Sequence, residues 1–67
     1  MNGKFPDNLR RAMKEKKFTV KGLARESGIP AKTIWALRAG QNRPMAYTLR
    51  ILADTLGVTM DELFGRG

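Results

Sequence analysis

The chain has 67 residues, with 13 Lys and Arg against 6 Asp and Glu, and neither histidine nor cysteine. That length suits one small domain, which buries only about 60% of the surface its unfolded chain exposes. Disulfides and thiolate metal sites are excluded, and no metal or cofactor is expected. The net charge of +7 is unevenly spread: twelve of the 13 cations fall in residues 1–50, while residues 51–67 hold Arg66 against Asp54, Asp61 and Glu62. Charge alone fits equally a face for a polyanion and a solvated surface that keeps the chain soluble.

Phe5 to about Lys17 reads as the first helix. Pro6 suits its first turn by its fixed φ, and Asp7 by its charge at the positive end of the helix dipole. Leu9, Ala12 and Met13 fall at i, i+3 and i+4 and should face the core. Lys14, Lys16 and Lys17 close the helix where positive charge is favoured, with phosphate contact as a second reading.

A second helix is expected from about Val20 to Ser27, capped by the Thr19 hydroxyl. Val20, Leu23 and Ala24 form its apolar stripe. Gly22 inside it should cost roughly 1 kcal/mol against alanine, and nothing local explains it. Gly28 suits positive φ just past a helix end. Pro30 can begin a helix but not continue one inward, and it pushes Ile29 towards extended backbone. The third helix therefore starts at Pro30 or Ala31 and runs to Ala39, with Gly40 closing it. Helix, sharp turn with glycine, helix over Phe18 to Gly40 is the layout of a DNA-binding helix-turn-helix. Beside that layout, nucleic acid becomes the favoured partner of the basic front.

At about 100° per residue, Ile34 and Leu37 define the buried side of the third helix. Lys32, Trp35, Ala36 and Ala39 share the opposite side, which enters the major groove in a helix-turn-helix. Lys32 can donate to guanine O6 and N7, whereas the alanines reach only thymine methyl groups. Thr33 is placed to bond a phosphate or to cap locally. Trp35 has three readings: a groove contact, which the helical angle favours, partial burial against a neighbouring helix, or a protein contact.

Gln41-Asn42-Arg43-Pro44 is a polar loop. Met45 to Leu56 forms the fourth helix, whose Leu49, Leu52, Ala53 and Leu56 make the clearest core stripe in the chain. Gly57 is its expected C′ residue, and Ile51 points away from the stripe. Thr59-Met60-Asp61-Glu62 is a capping box and starts a short fifth helix. Val58 and Leu63 should be buried, with Met60 and Phe64 partly covered. Ile51, Met60 and Phe64 are the candidate self-association patch; the alternative is that Phe64 folds back onto the core. Gly65-Arg66-Gly67 reads as a frayed end or the start of a linker.

The chain resembles the lambda-repressor-like, Cro-type helix-turn-helix family. The resemblance rests on Asn8-Leu9-Arg10, Thr19, Leu23-Ala24, Gly28-Ile29, Thr33-Ile34, Leu37, Gly40 and Pro44. Further on, Thr48-Leu49, Leu52-Ala53, Leu56-Gly57-Val58 and Asp61-Glu62-Leu63 also fit. Their joint register carries the likeness, from about residue 8 to residue 64. It implies an all-α, compact five-helix domain over residues 1–67, with the second and third helices as the helix-turn-helix at about 19–40. It implies a transcriptional regulator, most often a repressor, that binds two-fold double-stranded DNA as a homodimer. The family's base-reading positions map onto Ala31, Lys32 and Ala36, with Trp35 adjacent. Phosphate contacts are expected from Thr19, Lys21, Thr33, Arg38, Asn42 and Arg43.

Two departures stand out. Val20 occupies the position where the family usually has a glutamine that bonds a phosphate. Met13 and Arg38 replace an arginine–glutamate pair found in many members, which leaves Arg38 free to reach solvent or phosphate.

Two rival readings keep the fold. One is an antitoxin or adaptor whose main partner is another protein; the other is the amino-terminal domain of a longer repressor. An enzyme is not expected: Ser27 is the sole serine and has no histidine to activate it, and the adjacent Asp61 and Glu62 point in different directions on their helix. No apolar run approaches the roughly 20 residues that cross a membrane. The start, MNGKFPDNLRR, lacks the apolar core of a signal peptide, so a cytoplasmic location is expected.

Overall fold

A computed structural model describes residues 4–65. Those residues form five helices: α1 (Phe5–Glu15), α2 (Val20–Ser27), α3 (Ala31–Arg38), α4 (Ala46–Leu56) and α5 (Met60–Phe64). None of them is long and apolar enough to cross a membrane. Each helix places at least one side chain in a shared core. Phe5 and Leu9 come from α1, Leu23 from α2, Ile34 and Leu37 from α3, Leu52 from α4 and Leu63 from α5, all essentially without solvent contact. Burying one such side chain stabilises by roughly 1.5–3 kcal/mol. α1 packs on α3 and α5, α2 packs on α3 and α4, and α4 packs on α5. α3 is thus supported from behind by α1 and α2, and its outer side is left open.

The apolar stripes read from the sequence are the ones buried. Leu9, Ala12 and Met13 face inward on α1, and Leu49, Leu52, Ala53 and Leu56 do so on α4. Thr59 Oγ1 accepts from the Glu62 N–H at 3.0 Å, and Glu62 Oε1 accepts from the Thr59 N–H at 2.7 Å, which completes the capping box. Gly28, Gly40 and Gly57 all take positive φ just past a helix.

Several expectations are corrected. α1 ends at Glu15, not near Lys17. Lys17 itself takes φ 61°, while the Phe18 N–H bonds the Met13 carbonyl at 2.8 Å and the Lys17 N–H bonds the Lys14 carbonyl at 3.2 Å. This is the Schellman closure, here with lysine where glycine is usual. α4 begins at Ala46 with Met45 as its extended N-cap. Of the two expected starts of α3, Ala31 is the one found, with Pro30 as its extended N-cap (φ −57°, ψ 141°), but the helix ends at Arg38, with Ala39 as its C-cap. Ile51 is not an isolated surface residue: it is partly buried and packs on the core, as does Val58. Phe64 does not fold back fully and remains 40% exposed.

Gly65 is not frayed. Its N–H bonds the Asp61 carbonyl at 2.9 Å. It takes φ +81°, and a Cβ there would lie 2.7 Å from Asn8 Nδ2. Gly65 is therefore seated against buried Asn8 of α1. Arg66 and Gly67, the rest of the expected loose end, lie outside the described residues.

Candidate nucleic-acid interface

The site starts with the turn that fixes α3. Thr19 is the N-cap of α2, and its Oγ1 accepts from the Gly22 N–H at 3.0 Å. A Cβ on Gly22 would lie 3.2 Å from that oxygen, a tight contact that the cap could meet by a shift of a few tenths of an ångström. At the far end Gly28 takes φ 79°, and the Ile29 N–H donates to Ser27 Oγ at 3.1 Å. Buried Ile29 and the extended Pro30 then turn the chain into α3. The left-handed glycine and the proline permit this corner because neither demands a backbone state that the turn forbids.

Ile34 and Leu37 anchor α3 in the core. On its open side, Lys32, Thr33, Trp35, Ala36 and Ala39 line a shallow concavity together with Gln41 and Asn42 of the following loop. Trp35 is 58% exposed, which excludes burial against a neighbouring helix. Ala31 sits at the edge of this face, partly buried on the core.

A second concavity continues the first. Thr33 and Asn42 belong to both, and Arg43, Pro44, Met45 and Tyr47 extend it towards the start of α4. Three of the expected reading residues (Lys32, Trp35 and Ala36) and three of the expected phosphate residues (Thr33, Asn42 and Arg43) therefore form one strip, with Ala31 at its edge. Thr19 and Lys21 stand apart from it, exposed at the amino end of α2.

Arg38 is not free to solvent. Its guanidinium carbon lies 4.9 Å from the Trp35 ring centroid, a cation–π contact. Its Nε is shielded from solvent with no hydrogen-bond partner among the described residues. Its backbone carbonyl accepts from Arg10, whose guanidinium also pairs with Asp7. α1 thus ties down the end of α3, where a cation meets the negative end of the helix dipole. Val20 is buried in the core, so it offers nothing to a phosphate.

Met45 and Tyr47, each 61% exposed, were not singled out from the sequence. Tyr47 was findable: at about 100° per residue it falls opposite Leu49 on α4. Of the candidate self-association residues, Met60 is 39% exposed and shares a shallow depression with Ala46, Tyr47 and Arg50. Met60 and Phe64 lie one turn apart on α5, and Ile51 lies partly beneath the surface.

A family model of the Cro/C1-type HTH DNA-binding domain matches residues 8–66. The chain belongs to that family. No curated protein and no solved structure matches it. A Cro/C1-type domain binds DNA, and here it has the all-helical, five-helix build that the resemblance implied.

Proposed function

We propose that this Cro/C1-type domain is a sequence-specific transcriptional regulator of repressor type, acting in the cytoplasm, with α3 in the major groove. Lys32, Trp35, Ala36 and Ala31 read base edges. Thr19, Lys21, Thr33, Asn42 and Arg43 hold phosphates, whereas Arg38, first expected among them, is held on the Trp35 ring. The observation that carries this reading is the continuous open strip from Lys32 to Tyr47, on a chain of net charge +7. Phosphate contacts of this kind fix register, while the groove-facing side chains supply preference.

The regulator binds as a homodimer, one protomer per half-site. The exposed apolar residues Met60 and Phe64 on α5, with Tyr47 nearby, support self-association through one self-complementary patch.

Selection of bound duplexes from a random pool at near-physiological salt, followed by sequencing, tests this. The expected result is an enriched palindrome with half-sites about 10 bp apart, centre to centre. Lys32→Ala should then flatten the preference between sites, and Arg43→Ala should weaken all sites alike. Binding with no enriched motif, lost as salt rises, would leave only a non-specific polyanion contact and end the regulator reading.

A further inference from the structure

The open side of α3 mixes polar and apolar groups. Lys32 brings a cation, Thr33 a hydroxyl and Trp35 one indole N–H, and the following loop adds Gln41 and Asn42, whereas Ala31, Ala36 and Ala39 bring only methyl groups. In the major groove, bases differ in their donors and acceptors and in the C5-methyl of thymine. With Thr33, Asn42 and Gln41 at the edge towards the backbone, the middle of the α3 face offers two contacts: a cation on guanine O6 and N7, and apolar contact with a pyrimidine C5-methyl. Trp35, Ala36 and Ala39 together supply the apolar part of the concavity on α3, which suits the second. The surroundings suit a polyanion, with Lys32 within the concavity, Arg43 along its continuation and Arg38 on the Trp35 ring. Arg38 lies over one side of that ring, 4.9 Å from its centroid, a contact that favours this placement of the indole.

We propose that α3 recognises pyrimidine C5-methyl groups beside a guanine. Trp35 and Ala36 make the methyl contact, Lys32 holds the guanine, and Arg38 is a positioning residue for the Trp35 ring. The proposal rests on the DNA-reading function above and names what is read. Thymine and 5-methylcytosine carry the same group, so either can supply it.

The test is a pair of selections from random duplex pools of identical design, one built with thymine and one with uracil. The thymine pool should yield a motif with a fixed thymine beside a guanine, and the uracil pool should lose that position. In the enriched duplex, each contacted thymine changed to uracil should weaken binding about fourfold, the equivalent of ~0.8 kcal/mol for one buried carbon. Cytosine and 5-methylcytosine placed at the same position separate the sources. A gain at 5-methylcytosine assigns the site to the methyl group on either base, and no gain assigns it to thymine.

Trp35→Ala should reduce the thymine–uracil difference, leaving the part that Ala36 supplies, and keep the guanine preference; an unchanged difference would remove Trp35 from the methyl contact. Circular dichroism checks that the fold is retained, as expected for an exposed residue. Arg38→Lys, which keeps a cation, should preserve the thymine–uracil ratio, and Arg38→Met should reduce it. Equal behaviour of those two variants overturns the positioning role. A shared motif bound equally with thymine and uracil overturns methyl reading while leaving DNA reading intact. No motif in either pool overturns the DNA reading itself.

Discussion

Lys17 and Gly65 show what a single backbone angle is worth. Both take positive φ, 61° and 81° respectively. For a residue with a Cβ, that region costs roughly 1–2 kcal/mol, and for glycine almost nothing. Lys17 therefore holds the end of α1 at an energetic cost. Lys17→Gly should raise stability by about 1 kcal/mol in urea denaturation, less the extra chain entropy glycine gives the unfolded state. Unchanged or lower stability would mean that the lysine side chain makes up the difference. Gly65→Ala should do the reverse. It adds a Cβ in an unfavourable region and drives it to 2.7 Å from Asn8 Nδ2. A loss of at least about 1 kcal/mol is expected, with a lower thermal midpoint as the readout.

The helices were legible where their instructions are local. Thr59 and Glu62 announce α5 three residues apart, and the Gly28–Pro30 corner announces α3, because caps and turns are built by adjacent residues. The core stripes of α1 and α4 were legible for the same reason, as periodicity is a local property. What escaped depends on residues distant in sequence. Complete burial of Phe5 at the first position of α1 and the cover over Ile51 come from packing against other helices. So does the seating of Gly65 on Asn8, 57 positions earlier. The end of α1 was missed because lysine is a good helix former and nothing nearby flags a left-handed turn at Lys17. In the site, the helical angle found the open side of α3, but Arg38 lying on Trp35 was not expected, since both readings of Arg38 pointed it outward.

At this same scale the capping box of α5 makes stability depend on pH. The Thr59 backbone N–H and hydroxyl hold the Glu62 carboxyl below its ordinary value of 4.5, with Lys16 adding a smaller pull. A carboxyl lowered in the folded state favours folding when ionised, so this contribution is present above pH 4.5 and fades as pH falls through the lowered value. Glu62→Gln should be less stable than the parent near neutrality, and the gap should close in acid. Thermal midpoints of both proteins from pH 7 to pH 3 check this; a gap that widened in acid would contradict it.

For the whole molecule, charge and core act on different quantities. The core is one cluster shared by five short helices, so it has no spare part. Leu52→Ala, at a site with no solvent contact, should cost about 2–5 kcal/mol. A domain of this size holds only about 3–10 kcal/mol in total, so that variant should be largely unfolded near 37 °C by circular dichroism. The cations govern association instead. The logarithm of DNA affinity should fall linearly with that of salt, and Arg43→Ala should make the slope shallower by about one unit per protomer on the duplex. An unchanged slope would remove Arg43 from the phosphate contacts without touching the fold.

Trp35 is the sole tryptophan in the chain, and it stands on the open side of α3. The protein's intrinsic emission thus comes from the surface it is proposed to read with, not from its interior. Unfolding moves this indole from one wet environment to another and should shift its emission wavelength little, so fluorescence is a poor gauge of folding here. Docking of a duplex would shield the ring from water and from a soluble quencher such as acrylamide. The domain carries its own optical probe for occupancy of α3, with no label to attach.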